Sequence, residues 1–244
     1  MPAVHATCPQ ARSAPRGARG HRAATALTLC CALMAADSRC GDVVRCVDAV
    51  ISVQADDSAD AALGCAGAAD AVAFLVANGL DATQPAEIVF VDRLPASGGG
   101  SAFGCYLRAE QRIYMISYAE CQWTSFRQGL AMDRVLYRSL VAHEVAHLFA
   151  AANFAVDRPT TVAHEYLASV TMLGTMPETA RQRWLAAFPG DGFDSDRQIG
   201  LTFYLLSPHH FAAEAYRHFL KPGMGTAFLR RVLAGEALST EEPP

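Results

Sequence analysis

The sequence predicts an α+β protein, a small sheet-rich lobe with one helix followed by a helical lobe. Three observations predict it. Strand-like runs at 46–55, 87–94 and 112–121 fall in the first half, apolar residues recur at helical spacing from Met132 onward, and no Gly/Ser linker divides the two halves. With 244 residues, 52% hydrophobic and 18% charged, the composition is that of a globular chain. No apolar run reaches the ~20 residues that a membrane-crossing helix needs.

The first segment reads as an export signal. Arg12, Arg16, Arg19 and Arg22 form a positive flank with no acid before Asp37, and "AATALTLCCALMAA" (23–36) supplies the apolar core. Ala35 and Ala36 offer a cleavage point, which divides the chain into a signal peptide (1–36) and a single domain (37–244). Cleavage removes four arginines and leaves 16 basic against 24 acidic residues, a net charge of −8. Lys221 is the only lysine and no basic cluster remains, which argues against nucleic acid and against an anionic membrane as partners. Five cysteines stay with the mature chain: Cys40, Cys46, Cys65, Cys105 and Cys121. In an exported protein they predict one or two disulfides, with Cys105–Cys121 the expected pair. No C-x-x-C pair is present, so a cysteine zinc site is not expected.

Within the sheet-rich lobe (37–131), "CVDAVISVQA" (46–55) alternates as a strand does. Residues 57–80 are alanine-rich with helical spacing, and Asn78-Gly79 ends them as a C-cap would. "EIVFVDRL" (87–94) reads as a buried strand and "LPASGGGSAFG" (94–104) as a turn or flap. "FGCYLRA" and "RIYMISYAEC" (112–121) form a hairpin about Glu110-Gln111. In the helical lobe (132–244), a helix over 132–154 ends at Asp157-Arg158-Pro159. A second covers 160–176 with Thr160 or Thr161 as N-cap, and Pro177 opens a third. Loop 190–200 follows, then helices in 201–220 and 224–236 separated by Pro222-Gly223. The loop acids Asp191, Asp194 and Asp196 miss the calcium-loop spacing and read as a solvated loop. Trp184 and Phe188, four apart, read as core.

"SLVAHEVAHLF" (139–149) carries the chemistry. His143 and His147 lie four apart on the predicted helix and project side by side, and Glu144 lies about 100° round from the first. Polar side chains on an apolar stripe are costly to bury without partners. Two neutral imidazoles at this spacing can hold one zinc ion, leaving Glu144 as the base for a water held there. A catalytic zinc takes three protein ligands and keeps one open place. Six residues after His147, where a metzincin has its third histidine, stands Asn153, so that arrangement is excluded.

"AHEYLAS" instead offers Glu165, eighteen residues after His147, enough for one helix to end and a second to return. His143, Glu144, His147 and Glu165 together resemble the gluzincin zinc metallopeptidases (HExxH…E) over roughly residues 112–176. The resemblance implies a zincin-like fold, a twisted sheet whose edge strand lies over the active-site helix, with 112–121 positioned to be that strand. It also implies hydrolysis of peptide bonds in a peptide or protein substrate. His143, His147 and Glu165 would hold the metal and Glu144 would be the catalytic base. His164 competes for the third place, but Ala168 and Met172 continue the face of Glu165 as the buried one. Ser169 stands where thermolysin-like enzymes have an acid that orients a histidine, so outer support for the metal has to come from elsewhere. Tyr204, His209, His210, Tyr216 and His218 are the candidates for an oxyanion donor. The alternative is a non-catalytic zincin-like domain with a structural zinc or a peptide-binding groove.

Overall fold

In the computed structural model, which describes residues 42–46, 50–95, 103–127 and 132–240, a five-stranded mixed sheet lies beside eight helices. The fold is α+β, as the sequence predicts. The segment read as an export signal (1–36), Cys40 and the glycine-rich part of loop 94–104 lie outside the described residues.

The chain enters through β1 (Asp42–Arg45), which pairs antiparallel with β2 (Ile51–Ala55). The strand read over 46–55 is therefore shorter, and a separate strand precedes it. Asp57 caps α1 (Ser58–Ala77), its carboxylate accepting from the Ala59 amide at 2.8 Å, and Gly79 takes φ +86° just past the end. At 20 residues with a hydropathy of 1.5, α1 is long and apolar enough to span a membrane. Here it is instead the crossover from β2 to its parallel neighbour β3 (Ala86–Val91), packed against β2 and against the helix that bears the motif. Gly67 permits that contact: a Cβ there would stand 2.6 Å from the Arg138 carbonyl oxygen and 2.7 Å from Val141 Cβ.

β4 (Gly104–Leu107) and β5 (Arg112–Ile116) form the expected hairpin, with Gln111 at φ +52° in its turn. The sheet order is β1-β2-β3-β5-β4. This corrects the expected edge strand: β5 runs parallel to β3 inside the sheet, and the hairpin folds β4 outside it to the edge. β5 also stops at Ile116, because Tyr118–Arg127 forms a helix, α2. The Asp60 carboxylate accepts from the Tyr118 amide at 3.1 Å and starts that helix.

The disulfide joins Cys46 to Cys65, with Cα atoms 5.1 Å apart. It overturns the expected Cys105–Cys121 pair. Cys46 follows β1 directly, and α1 crosses the neighbouring β2, which brings Cys65 over it. Cys105, on β4, and Cys121, on α2, are buried thiols, and burial pushes the Cys121 thiol up to about 12.

The second half follows the predicted order, α3 (Arg134–Asn153), α4 (Thr161–Thr175) and α5 (Glu178–Ala187). The helix expected over 201–220 is two, α6 (Leu201–Leu206) and α7 (Pro208–Leu220), because Pro208 occupies the first turn of a new helix; α8 (Gly225–Ala234) follows. Trp184 is buried, with its ring 5.4 Å from that of Phe188, in a cluster with Met172, Ala212 and Tyr216. In loop 190–200 the Lys221 ammonium donates to the Gly192 and Phe193 carbonyls and pairs with Asp194 at 2.8 Å, so a cationic side chain already serves this acidic loop.

Candidate metal centre

α3 begins where Asp133 accepts from the Leu136 amide at 2.8 Å, and α4 where Thr160 accepts from the Ala163 amide at 3.1 Å. The two helices pack along each other, the most extensive helix contact in the fold, and the return brings α4 alongside the motif. Residues buried all round α3, among them Val141, Ala142, Val145 and Ala146, fix it between α1, α4 and the sheet edge.

Three side chains meet at the α3–α4 seam. His143 Nε2 and His147 Nε2 are 3.1 Å apart. One oxygen of Glu165 lies 3.4 Å from His143 Nε2, and the other lies 3.5 Å from His147 Nε2. Donors placed 2.0–2.1 Å from one ion at tetrahedral angles stand roughly 3.3–3.4 Å from each other. The observed separations approach those edges, the two imidazole–carboxylate ones through different oxygens, and with one atom taken from each residue all three lie within 4.8 Å of one another, so the three side chains can converge on a single cation. Two imidazoles and a carboxylate combine borderline nitrogen donors with a hard oxygen donor, a set that divalent first-row transition ions accept.

The electrostatics of the site point the same way. Burial lowers His143 to about 4, with the Ala168 backbone acting in the opposite sense, so the imidazole is neutral at pH 7 as a ligand must be. Glu144 and Glu165 are both buried. Burial, and then the charge of Glu165, push Glu144 up to about 8. A divalent cation between them would reverse that effect by favouring both carboxylates as anions.

Glu144 points away from the seam toward β4, the edge strand. A Cβ on Gly104 would lie 2.7 Å from Glu144 Cγ, so strand backbone and carboxylate are in direct apposition. Sequence reasoning missed this role of Gly104; a glycine inside a strand pattern, marking a close approach, was the available signal. A cavity opens beside His143, Glu144 and Glu165, lined also by Phe103, Leu140, Tyr204 and His209.

His164 is not among the three clustered donors. Its ring lies against Phe154 (4.7 Å between centroids) and farther from His147 (5.9 Å), and burial lowers it to about 4. Ser169 is buried and lines the cavity. Of the five candidate oxyanion donors, Tyr204 and His209 reach the cavity. The other three are placed elsewhere: His210 donates to the Pro189 carbonyl, Tyr216 lies under the Arg181 guanidinium, and His218 Nδ1 pairs with the Tyr166 hydroxyl at 2.7 Å.

Residues 51–242 match the model of DUF6639, a family of unknown function. The chain belongs to DUF6639. The matched span includes all four motif residues and all of the sheet except β1. Comparison with curated proteins finds no match, and neither does comparison with solved structures. For this DUF6639 chain the chemistry has to be read from the site itself.

Proposed function

We propose that this DUF6639 protein is an exported zinc-dependent peptidase of gluzincin type, with a zincin-like arrangement of sheet edge and motif helix. The observation that carries the reading is the convergence of His143 Nε2, His147 Nε2 and the Glu165 carboxylate, with a fourth polar group, Glu144, beside them and in none of those contacts. A site with only a structural task has no need of that extra buried acid. The Cys46–Cys65 disulfide supports an oxidising compartment, in keeping with an export signal at 1–36.

His143, His147 and Glu165 would hold the ion. Zinc, when bound, supplies Lewis acidity, polarising a carbonyl and making water a better nucleophile near neutral pH. Glu144 does the proton work: its carboxylate takes a proton from the attacking water as the new C–O bond forms. It then returns the proton to the amine nitrogen as the C–N bond breaks. The β4 edge beside Glu144 offers backbone groups on which an extended peptide can align. His209 and Tyr204 are further polar side chains lining the cavity.

The test pairs metal content with cleavage. Glu144→Gln should keep the zinc of the wild-type protein and lose peptide-library cleavage by roughly 10²–10⁴-fold. Wild-type protein that holds stoichiometric zinc and cleaves nothing would instead favour a peptide-binding or structurally metallated domain.

A further inference from the structure

Ser169 is too short and too neutral for the acidic supporting role that its position suggests, so the metal ligands need another source of orientation. Metal-ligating carboxylates are themselves hydrogen-bonded, and such partners set ligand direction. Tyr204 is placed for this task. It sits on α6, 2% exposed, its ring 5.4 Å edge-on to Phe211, and it lines the cavity with Glu144 and Glu165. A buried phenol needs a polar partner, and the buried Glu165 carboxylate, which lines the same cavity and acts on the phenol, is the acceptor at hand.

We infer that Tyr204 is a positioning residue for the metal site, its hydroxyl donating to the Glu165 carboxylate so that the free oxygen lone pairs face His143 and His147. The inference rests on the zinc reading above and assigns the orienting partner that reading leaves open. It differs from an oxyanion role, in which the hydroxyl would meet substrate. An orienting hydroxyl acts on metal affinity with no substrate present; an oxyanion donor acts only on turnover. His209 is then the remaining side chain of the candidate set that faces the cavity without this duty.

The experiment is a zinc competition titration against a chromogenic chelator, with wild type, Tyr204→Phe and Tyr216→Phe compared side by side. Melting of the chelator-treated proteins is recorded in parallel. Tyr204→Phe keeps the ring and its packing, so its zinc-free melting temperature should stay within a few degrees of wild type. Its zinc affinity should fall about 10–100-fold, while Tyr216→Phe, whose hydroxyl is outside the cavity, should bind as wild type does. In a Glu165→Gln background, Tyr204→Phe should cause far less further loss. Unchanged zinc affinity in Tyr204→Phe overturns the inference even if turnover falls, and so does an equal loss in Tyr216→Phe. If wild-type protein itself binds no zinc, the metal reading fails and takes this assignment with it; the two failures are told apart by the wild-type titration.

Discussion

A carboxylate pressed against a strand backbone responds to a single methyl group. Gly104 leaves no room for one: its Cβ would stand 2.6 Å from Met115 Sδ and 2.7 Å from Glu144 Cγ. Gly104→Ala should therefore push Glu144 aside without touching the three clustered donors. A displacement of about 1 Å at a reacting group costs on the order of 10²-fold, so peptide cleavage should fall by about that factor while zinc content stays at wild type. Cleavage at the wild-type rate would show that Glu144 has slack. At this scale the sequence was informative about the motif, because i, i+4 spacing on a helix fixes direction. The choice of Glu165 over His164 followed from which face Ala168 and Met172 continue, and Ala168 and Met172 are indeed buried. It named Tyr204 only as one of five candidate oxyanion donors and did not single out Gly104, because Glu165 and Glu144, which they approach, lie 39 and 40 positions away along the chain and meet them only in the fold.

Among the elements, α4 and α7 are linked through a buried pair, Tyr166 and His218, walled by Phe193 and Phe228. Burial lowers His218 below its ordinary value of 6.5; Asp196 acts against this, and Lys221 and Arg231 act with it. A histidine whose folded value is depressed binds protons more readily when unfolded. Its contribution to stability is complete above about pH 6.5 and is lost as the pH falls below that value. Urea unfolding of the chelator-treated protein should therefore give a lower stability at pH 5.5 than at pH 7.5. His218→Gln should reduce that difference, and an unchanged pH dependence in the variant would contradict the assignment. Helix boundaries were legible where a side chain closes the first turn, as Asp57 and Thr160 do. The α6–α7 break was not read from Pro208, although a proline at the start of a helix is its usual mark. The edge strand was misplaced for a different reason: strand order depends on how β4 folds back, and a hydrophobic pattern records alternation without recording neighbours.

Across the whole molecule, the one disulfide among the described residues fastens the outer end of the sheet to α1, the helix that supports α3. It closes a loop with a sequence separation of 19, and a cross-link of that span contributes roughly 3 kcal/mol in the chain-entropy account. Reduction, or Cys46→Ala with Cys65→Ala, should lower the melting temperature by roughly 10 °C, and no shift would mean that the bridge adds nothing to this fold. The five cysteines after residue 36 suggested bridging, but the pairing did not show in the sequence, since it depends on α1 crossing β2. The site as a whole joins two helices through packing that the sequence implies only as a length between His147 and Glu165. The most direct test of that convergence is the zinc stoichiometry of purified wild-type protein measured beside Glu165→Ala. The account predicts one zinc per wild-type chain and little in the variant; full zinc in Glu165→Ala, or none in the wild type, would contradict it.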